Sequence, residues 1–342
     1  KGDKKMSDIT KPNVAARYRE KSIINRIRTH PAGPVAVVFF AILILCVIYA
    51  LANPTTFYFL SKGNTSLVLR AIPNFGIVAL GVGMLMIAGE FDLSVGSVYV
   101  AAPFAMAAAY VAGVPLFWAV LFAYAIAASV GLLNAFITLR FNIPSFITTL
   151  GMLFIVRTAA PYFAGQQRAL VVKLPPDFKA ALTTNIGGYI PAQFLWFLGL
   201  AVLAYLLLNR HFLGNHFFAA GGDKRAARFA GINVAWTKTV AFVLCSMFAT
   251  TAGILQVARG GKAETNPQLF IELYAVAICV MGGMSLFGGR GAIVGIVLGA
   301  ALLQLIQDVI ILARFPGFYL DMFVGIMIVF GVVLNNAVAK RY

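Results

Sequence analysis

Runs of uninterrupted apolar residues, separated by short polar or glycine-rich breaks, dominate the chain. The runs approach the ~20 residues that a helix needs to span a bilayer, and they predict about ten transmembrane helices. They lie near Pro34–Ala52, Asn64–Ala88, Val98–Ala112, Leu116–Leu139, Ile143–Phe163, Pro191–Asn209, Thr239–Ala258, Ile271–Phe287, Ala292–Ala313 and Phe318–Asn336. One break stands apart. Gly89–Ser97, reading GEFDLSVGS, places Glu90 and Asp92 between two long apolar runs. An isolated carboxylate in the hydrocarbon costs about 2.5–3.5 kcal/mol on insertion scales and must face protein, water or a helix terminus. Irregular backbone at that depth survives only when buried in protein or lining a cavity. The stretch therefore predicts an interrupted helix and a candidate functional centre.

Composition agrees with this pattern. Hydrophobic residues make up 61% of the 342 and charged residues only 11%, with a mean hydropathy of +0.89. Soluble domains carry about 25% charge, so the expected class is an all-α integral membrane protein with some broken helices. The formal charge of +16 would suggest nucleic acid in a soluble chain. Here the cations flank spans and read as topology signals instead, and no basic, aromatic-studded sheet pattern points to nucleic acid. Cys46, Cys245 and Cys279 lie far apart in apolar runs, and with His30, His211 and His216 they offer no metal-ligand spacing.

Charge also orients the chain. The basic segment 1–30 predicts a cytoplasmic N-terminal tail against anionic lipid, followed by a permease domain over 31–342. Counting spans puts both termini and the loop 210–238 in the cytoplasm, with a bias of Lys and Arg toward that side of roughly two to one. Arg157, inside the fifth run, must find a partner or reach water. The 165–190 segment falls outside.

The remaining candidate chemistry is sparse. Asp92 or Ser94 could cap the helix after the break, while Glu90 could line a polar path or relay a proton. Gly282, Gly283 and Ser285 introduce a second glycine-rich break, Gly282–Gly295, which echoes the first and predicts an inverted internal repeat. Gly291, Gly295 and Gly299 fall four apart on one helix face and favour close helix contact. No phosphate-binding GxxxxGK[ST] loop is present, so ATP-driven transport would require a separate ATPase. In the loop, Asp223 and Gly231 frame a helix of about two turns. Lys224 and Arg225 occupy its first turn, where the dipole disfavours cations, which predicts a partner for them. No clustered nucleophile, base or metal set suggests an enzyme.

Four blocks in order resemble permease subunits of bacterial ABC importers for ribose, xylose, galactose and related sugars. GEFDLSVGS resembles the family's GG-[IF]-D-L-S-V-G-S signature, with Glu90 standing where glycine is usual. Asn134 followed by IPSFITTLGM (Ile143–Met152), AAGGDKRAARFAGI (Ala219–Ile232) and GGMSLFGGRG (Gly282–Gly291) are similar to its later blocks. The resemblance implies a type II importer-like permease in the bacterial inner membrane that performs no covalent chemistry. Its expected partners are a second permease chain, usually identical, a cytoplasmic ATPase that binds ATP and Mg, and a periplasmic or lipid-anchored sugar-binding protein. It further implies translocation-path candidates at Glu90, Asp92, Ser94, Asn134, Ser145, Phe146, Thr149, Gly282, Gly283 and Ser285. ATPase coupling falls to Gly222, Asp223, Lys224, Arg225, Ala226, Ala227, Arg228, Gly231 and Ile232. Alternative cargoes are a nucleoside, a polyol or a signalling sugar derivative. A proton-coupled secondary transporter using Glu90 and Asp92 is the competing class.

Overall fold

A computed structural model describes residues 32–163, 169–265, 270–317 and parts of 319–329. The helices are α1 (Gly33–Ala52), α2 (Lys62–Ile87), α3 (Val95–Val111), α4 (Leu116–Arg140), α5 (Ser145–Phe163), α6 (Pro176–Thr183) and α7 (Ala192–Asn209). They continue with α8 (Phe212–Gly222), α9 (Lys224–Phe229), α10 (Val234–Gly260), α11 (Ile271–Met281) and α12 (Ile293–Leu312). Short strands β1 (Ala169–Val171) and β4 (Lys262–Glu264) pair antiparallel, as do β2 (Asn185–Ile186) and β3 (Ile190–Pro191).

Among the described residues, 6 helices are long and apolar enough to cross a membrane, and α3, α11 and the Ser145–Ala159 part of α5 are apolar but shorter. The expected tail 1–30 lies outside the described residues, as does most of the tenth expected span. The eighth expected span, Ile271–Phe287, ends early at Met281. Its 11 residues reach only ~16 Å at 1.5 Å per residue, about half of a hydrocarbon core. The cause lies in the glycines. A Cβ on Gly282 would stand 2.5 Å from the Gly295 carbonyl oxygen, and one on Gly299 would stand 2.5 Å from that of Ile278. α11 and α12 thus touch backbone to backbone along the predicted small-residue face.

α10 is the axis of the bundle and packs against α2, α3 and α4. Glycines allow each approach: Gly81 of α2 faces Cys245, Gly131 of α4 faces Val243, and Gly253 of α10 itself faces the Tyr99 carbonyl of α3. Pro73 stays inside α2 without ending it. α2 and α10 run antiparallel, since Gly81 meets Cys245 while Glu90, beyond the end of α2, meets Lys238.

A long–short–long series of 26, 17 and 25 residues in α2–α4 recurs as 27, 11 and 20 in α10–α12. These lengths and the antiparallel α2 and α10 fit an inverted repeat of the two series. It does not relate the two glycine breaks, contrary to the expectation from their echo. Six expected spans, the third to the eighth, lie between them, an even number, so both breaks are reached with the chain running the same way, and they meet at the same end.

Candidate functional site

The break after α2 is held by side chains from α4 and α5. Where α2 stops, Gly89 turns with φ +78, a left-handed value that costs glycine nothing. The Glu90 N–H still reaches back to the Leu85 carbonyl (3.2 Å), but the Phe91 and Leu93 amides find their partners in the first turns of α5. The Phe91 N–H donates to Ser145 Oγ (3.0 Å) and the Leu93 N–H to Thr149 Oγ1 (3.1 Å), while the Thr149 hydroxyl donates to the Ser145 carbonyl (2.8 Å). Asp92 Oδ1 accepts the Ser94 N–H at 2.8 Å and the Ser94 hydroxyl at 2.6 Å. Asn134 Nδ2 from α4 donates to Ser94 Oγ at 2.8 Å and to Asp92 Oδ2 at 3.3 Å. Ser94 holds the N-cap position of α3 without a side-chain cap bond; the capping chemistry belongs to Asp92. These residues are buried within the chain and lock the break together. Phe146, by contrast, is 51% exposed.

Glu90 is 7% exposed and makes contacts that its neighbours in sequence do not reveal. Its carboxylate accepts a hydrogen bond from Lys238 of α10, which is 1% exposed. The same oxygen, Oε1, lies 3.7 Å from Lys224 Nζ at the start of α9. One carboxylate thus stands between two lysines. Lys224, read in the sequence as needing a partner, has Glu90 beside it within the chain, and Glu90, read as lining a polar path or relaying a proton, lies between two cations. Lys238 was not singled out in the sequence because the seventh span was expected to begin at Thr239. The signal that locates it is Asn233, whose side chain accepts the Trp236 N–H (3.0 Å), starts α10 at Val234 and so carries Lys238 into the helix.

The cap-to-glycine frame forms as expected. Asp223 Oδ1 accepts from the N–H groups of Arg225 (2.8 Å) and Ala226 (3.0 Å), and the chain turns at Gly231 with φ +80. Those two N–H donors hold the exposed Asp223 carboxyl below its ordinary pKa. Its contribution to α9 is complete above the unfolded value and is lost only as pH falls through the lowered one. Asp223→Ala is expected to unravel α9 and cut coupled uptake near neutral pH, whereas Asp223→Ser keeps an acceptor and most of the uptake. Ala227 is buried in a small cluster with Ala220 and Val234, against which Ile232 packs. Arg225 and Arg228 are exposed.

α8 brings this segment onto both interruptions. A Cβ on Gly221 would lie 1.9 Å from the Ile87 carbonyl oxygen and 2.8 Å from the Gly289 nitrogen. Gly289 donates its N–H to that same Ile87 oxygen at 2.9 Å. Gly288 approaches Gly89, and Gly289 approaches Gly222, with backbone atoms that a Cβ would meet at 2.8 and 2.6 Å. Gly89, Gly221, Gly222, Gly288 and Gly289 therefore form one seam between the two breaks and the end of α8. Gly282, Gly283 and Ser285 sit just before this seam, with Ser285 Oγ accepting the Phe287 N–H at 3.2 Å.

Two further polar features lie deeper. Arg157 reaches the Glu272 carboxylate at 3.3 Å, which supplies the partner its place in a span demanded. Glu272 stands in the first turn of α11, where a helix terminus favours negative charge. Between α3, α10 and β4 lies a cavity of about 90 Å³ lined by residues including Tyr99, Gln256, Lys262 and Glu264. Tyr99 Oη and Gln256 Oε1 have no hydrogen-bond partner among the described residues. Also among the described residues, no group of three or more His, Cys, Asp or Glu could hold a metal ion.

Residues 64–332 match the family described as branched-chain amino acid transport system / permease component. The chain is 32% identical over 303 residues to the autoinducer 2 import system permease protein LsrC of Enterobacter sp. (strain 638), covering 87% of this chain and 85% of that protein. The LsrC proteins of Klebsiella pneumoniae (32% over 298 residues, covering 87% and 85%) and Yersinia pseudotuberculosis serotype O:3 (29% over 288, covering 84% and 81%) are similar as well. No solved structure matches. With interrupted spans clamped around buried polar groups, a helix whose terminal glycines seat on both interruptions and a family match over residues 64–332, the chain belongs to the permease-component family and is a multi-pass membrane subunit of a solute transport system.

Proposed function

We propose that this subunit forms part of the path of an ATP-driven, binding-protein-dependent importer for a small sugar-like solute. A signalling sugar derivative of the kind named for the LsrC relatives is the nearest candidate cargo. The observation that carries this reading is the glycine seam. The last two residues of α8, Gly221 and Gly222, touch both interrupted spans through backbone, and α9 follows them one residue later, so a displacement of α9 that carries the end of α8 reaches the breaks through rigid backbone. In this reading the α8–α9 end faces the cytoplasm, and Gly222–Ile232 is the surface on which a separate ATPase docks. A second permease chain, identical or related, completes the path, and a binding protein delivers cargo to the opposite end. Asp92, Ser94, Asn134, Ser145 and Thr149 stabilise the break beside that path, and the unpartnered Tyr99 and Gln256 groups suit a hydroxylated cargo or the water that accompanies it.

Proton-coupled transport is disfavoured by the same geometry. Glu90 is paired with two cations and Asp92 is held by Ser94 and Asn134, so both carboxylates are engaged by partners within the chain.

Uptake measured in liposomes holding the assembled permease, ATPase and binding protein tests the reading. Cargo should accumulate only with ATP, and Lys224→Glu, Arg225→Glu and Arg228→Glu together should abolish that accumulation. Solute movement by this chain alone under a proton gradient would overturn it. Titrating the binding protein with ribose, autoinducer 2 and leucine separates the cargo classes.

A further inference from the structure

We propose that Glu90 is a positioning residue through which α9 reports its place to the α2–α3 break, with Lys238 as the fixed cation and Lys224 as the movable one. The inference rests on the reading of Gly222–Ile232 as the ATPase-coupling segment.

The three charges come from three different elements. Glu90 belongs to the break itself, one residue beyond Gly89 of the seam. Lys238 is anchored inside α10, the axis of the bundle, with its side chain 1% exposed and its ammonium on Glu90. Lys224 is the first residue of α9, and its side chain is 61% exposed. Both lysines address the same oxygen, Oε1. The buried lysine alone neutralises the carboxylate, so the second lysine is not required to satisfy it. What the second contact adds is a link between a solvent-facing helix and a buried turn. An exposed ammonium is also the one an acidic group on a docking partner can draw away. When Lys224 leaves, Glu90 keeps Lys238, and the break loses its tie to α9 without exposing an unpaired charge. Removing the inner lysine would leave the carboxylate buried with only a distant partner; removing the outer one does not. That asymmetry suits a contact that is made and broken during a cycle.

The test measures cargo imported per ATP hydrolysed in the reconstituted complex of permease, ATPase and binding protein. Lys224→Gln is expected to lower that ratio by ~5-fold or more, the low end of ordinary inter-site coupling, while the complex still assembles. In a Glu90→Gln/Lys238→Met background the same Lys224→Gln change should have no further effect. Lys224→Arg should restore the ratio. If the background variant does not fold, Glu90→Asp replaces it: the shorter acid keeps a carboxylate beside Lys238 but withdraws from Lys224, and it should reproduce the Lys224→Gln ratio without adding to it. An unchanged ratio, or an equal fall in both backgrounds, overturns the inference, since Lys224 would then act without Glu90. Loss of assembly on Lys224→Gln also overturns it and makes Lys224 a docking contact only. In each of those outcomes the coupling reading stands if the triple glutamate change still abolishes uptake. Should the triple change leave uptake intact, the coupling reading fails first.

Discussion

Gly221→Ala is expected to eliminate uptake and to lower the stability of the purified subunit. The added methyl would sit 1.9 Å from the Ile87 carbonyl oxygen and 2.8 Å from the Gly289 nitrogen. Neither obstacle can rotate aside, because both are backbone and they are hydrogen-bonded to each other. The seam has to open. Overpacking of a closed contact typically costs about 1–3 kcal/mol, and more when backbone must move. The loss should fall on transport most heavily, since the seam is the only point described where α8 meets both breaks. Gly199→Ala provides the control: its Cβ would meet nothing within 4 Å, and a glycine-to-alanine change inside an open stretch of helix gains up to about 1 kcal/mol. Thermal unfolding in detergent and ATP-driven uptake, measured on both variants, decide the matter. Full uptake by Gly221→Ala would show that the two breaks do not depend on this contact.

Lys238→Met should be the most damaging single substitution among the charged residues. It leaves Glu90, 7% exposed, with only Lys224 at 3.7 Å. Breaking a buried ion pair by removing one partner costs about 3–5 kcal/mol, because the remaining charge is left without compensation. Replacing both partners with groups that carry no charge is often nearly neutral. The double variant Glu90→Gln/Lys238→Met is therefore expected to recover most of the stability lost by Lys238→Met, while coupling through Lys224 stays absent. Thermal unfolding separates the two effects from the uptake-to-ATP ratio. A double variant no more stable than Lys238→Met alone would mean that Lys238 supports α10 by packing and not by its charge.

The same comparison extends to the ion pair farther from the seam. Arg157→Met should destabilise the subunit more than Glu272→Gln does. Arg157 is partly exposed and can reach water, whereas Glu272 is buried and has one oxygen, Oε2, without a hydrogen-bond partner among the described residues. Removing the arginine leaves the buried acid uncompensated; the reverse change leaves a half-exposed cation. Unfolding midpoints of the two variants give the order directly.

Much of this molecule is legible in its order of residues. Long apolar runs announce spans because every backbone group in lipid must be satisfied within the helix. Asp223 and Gly231 announce the ends of α9 because a cap acts on amides two and three residues away, a distance that sequence records. The interruption at Gly89–Ser97 is announced by acids and glycines that a continuous span would not carry. All of these signals are local.

What packing decided is everything that joins distant residues. Glu90 and Lys238 are 148 positions apart, and nothing near either one names the other. Whether Glu90 lines a path or pairs with a cation depends on the antiparallel crossing of α2 and α10. The apolar run at Ile271–Phe287 has the composition of a full span, but its helix ends at Met281, where Gly282 closes onto Gly295 of α12 and Gly299 closes onto the Ile278 carbonyl. Hydropathy averages over such a window and does not register a contact. The two glycine breaks resemble each other along the chain, yet their relation is physical: Gly89 and Gly288 meet across Gly221. Composition and local pattern thus determined that the chain is a bundle of spans with a capped helix outside it. Only the tertiary arrangement decided which charges meet and which backbones touch, because those depend on side-chain and backbone distances of a few ångströms between helices that the sequence leaves unplaced.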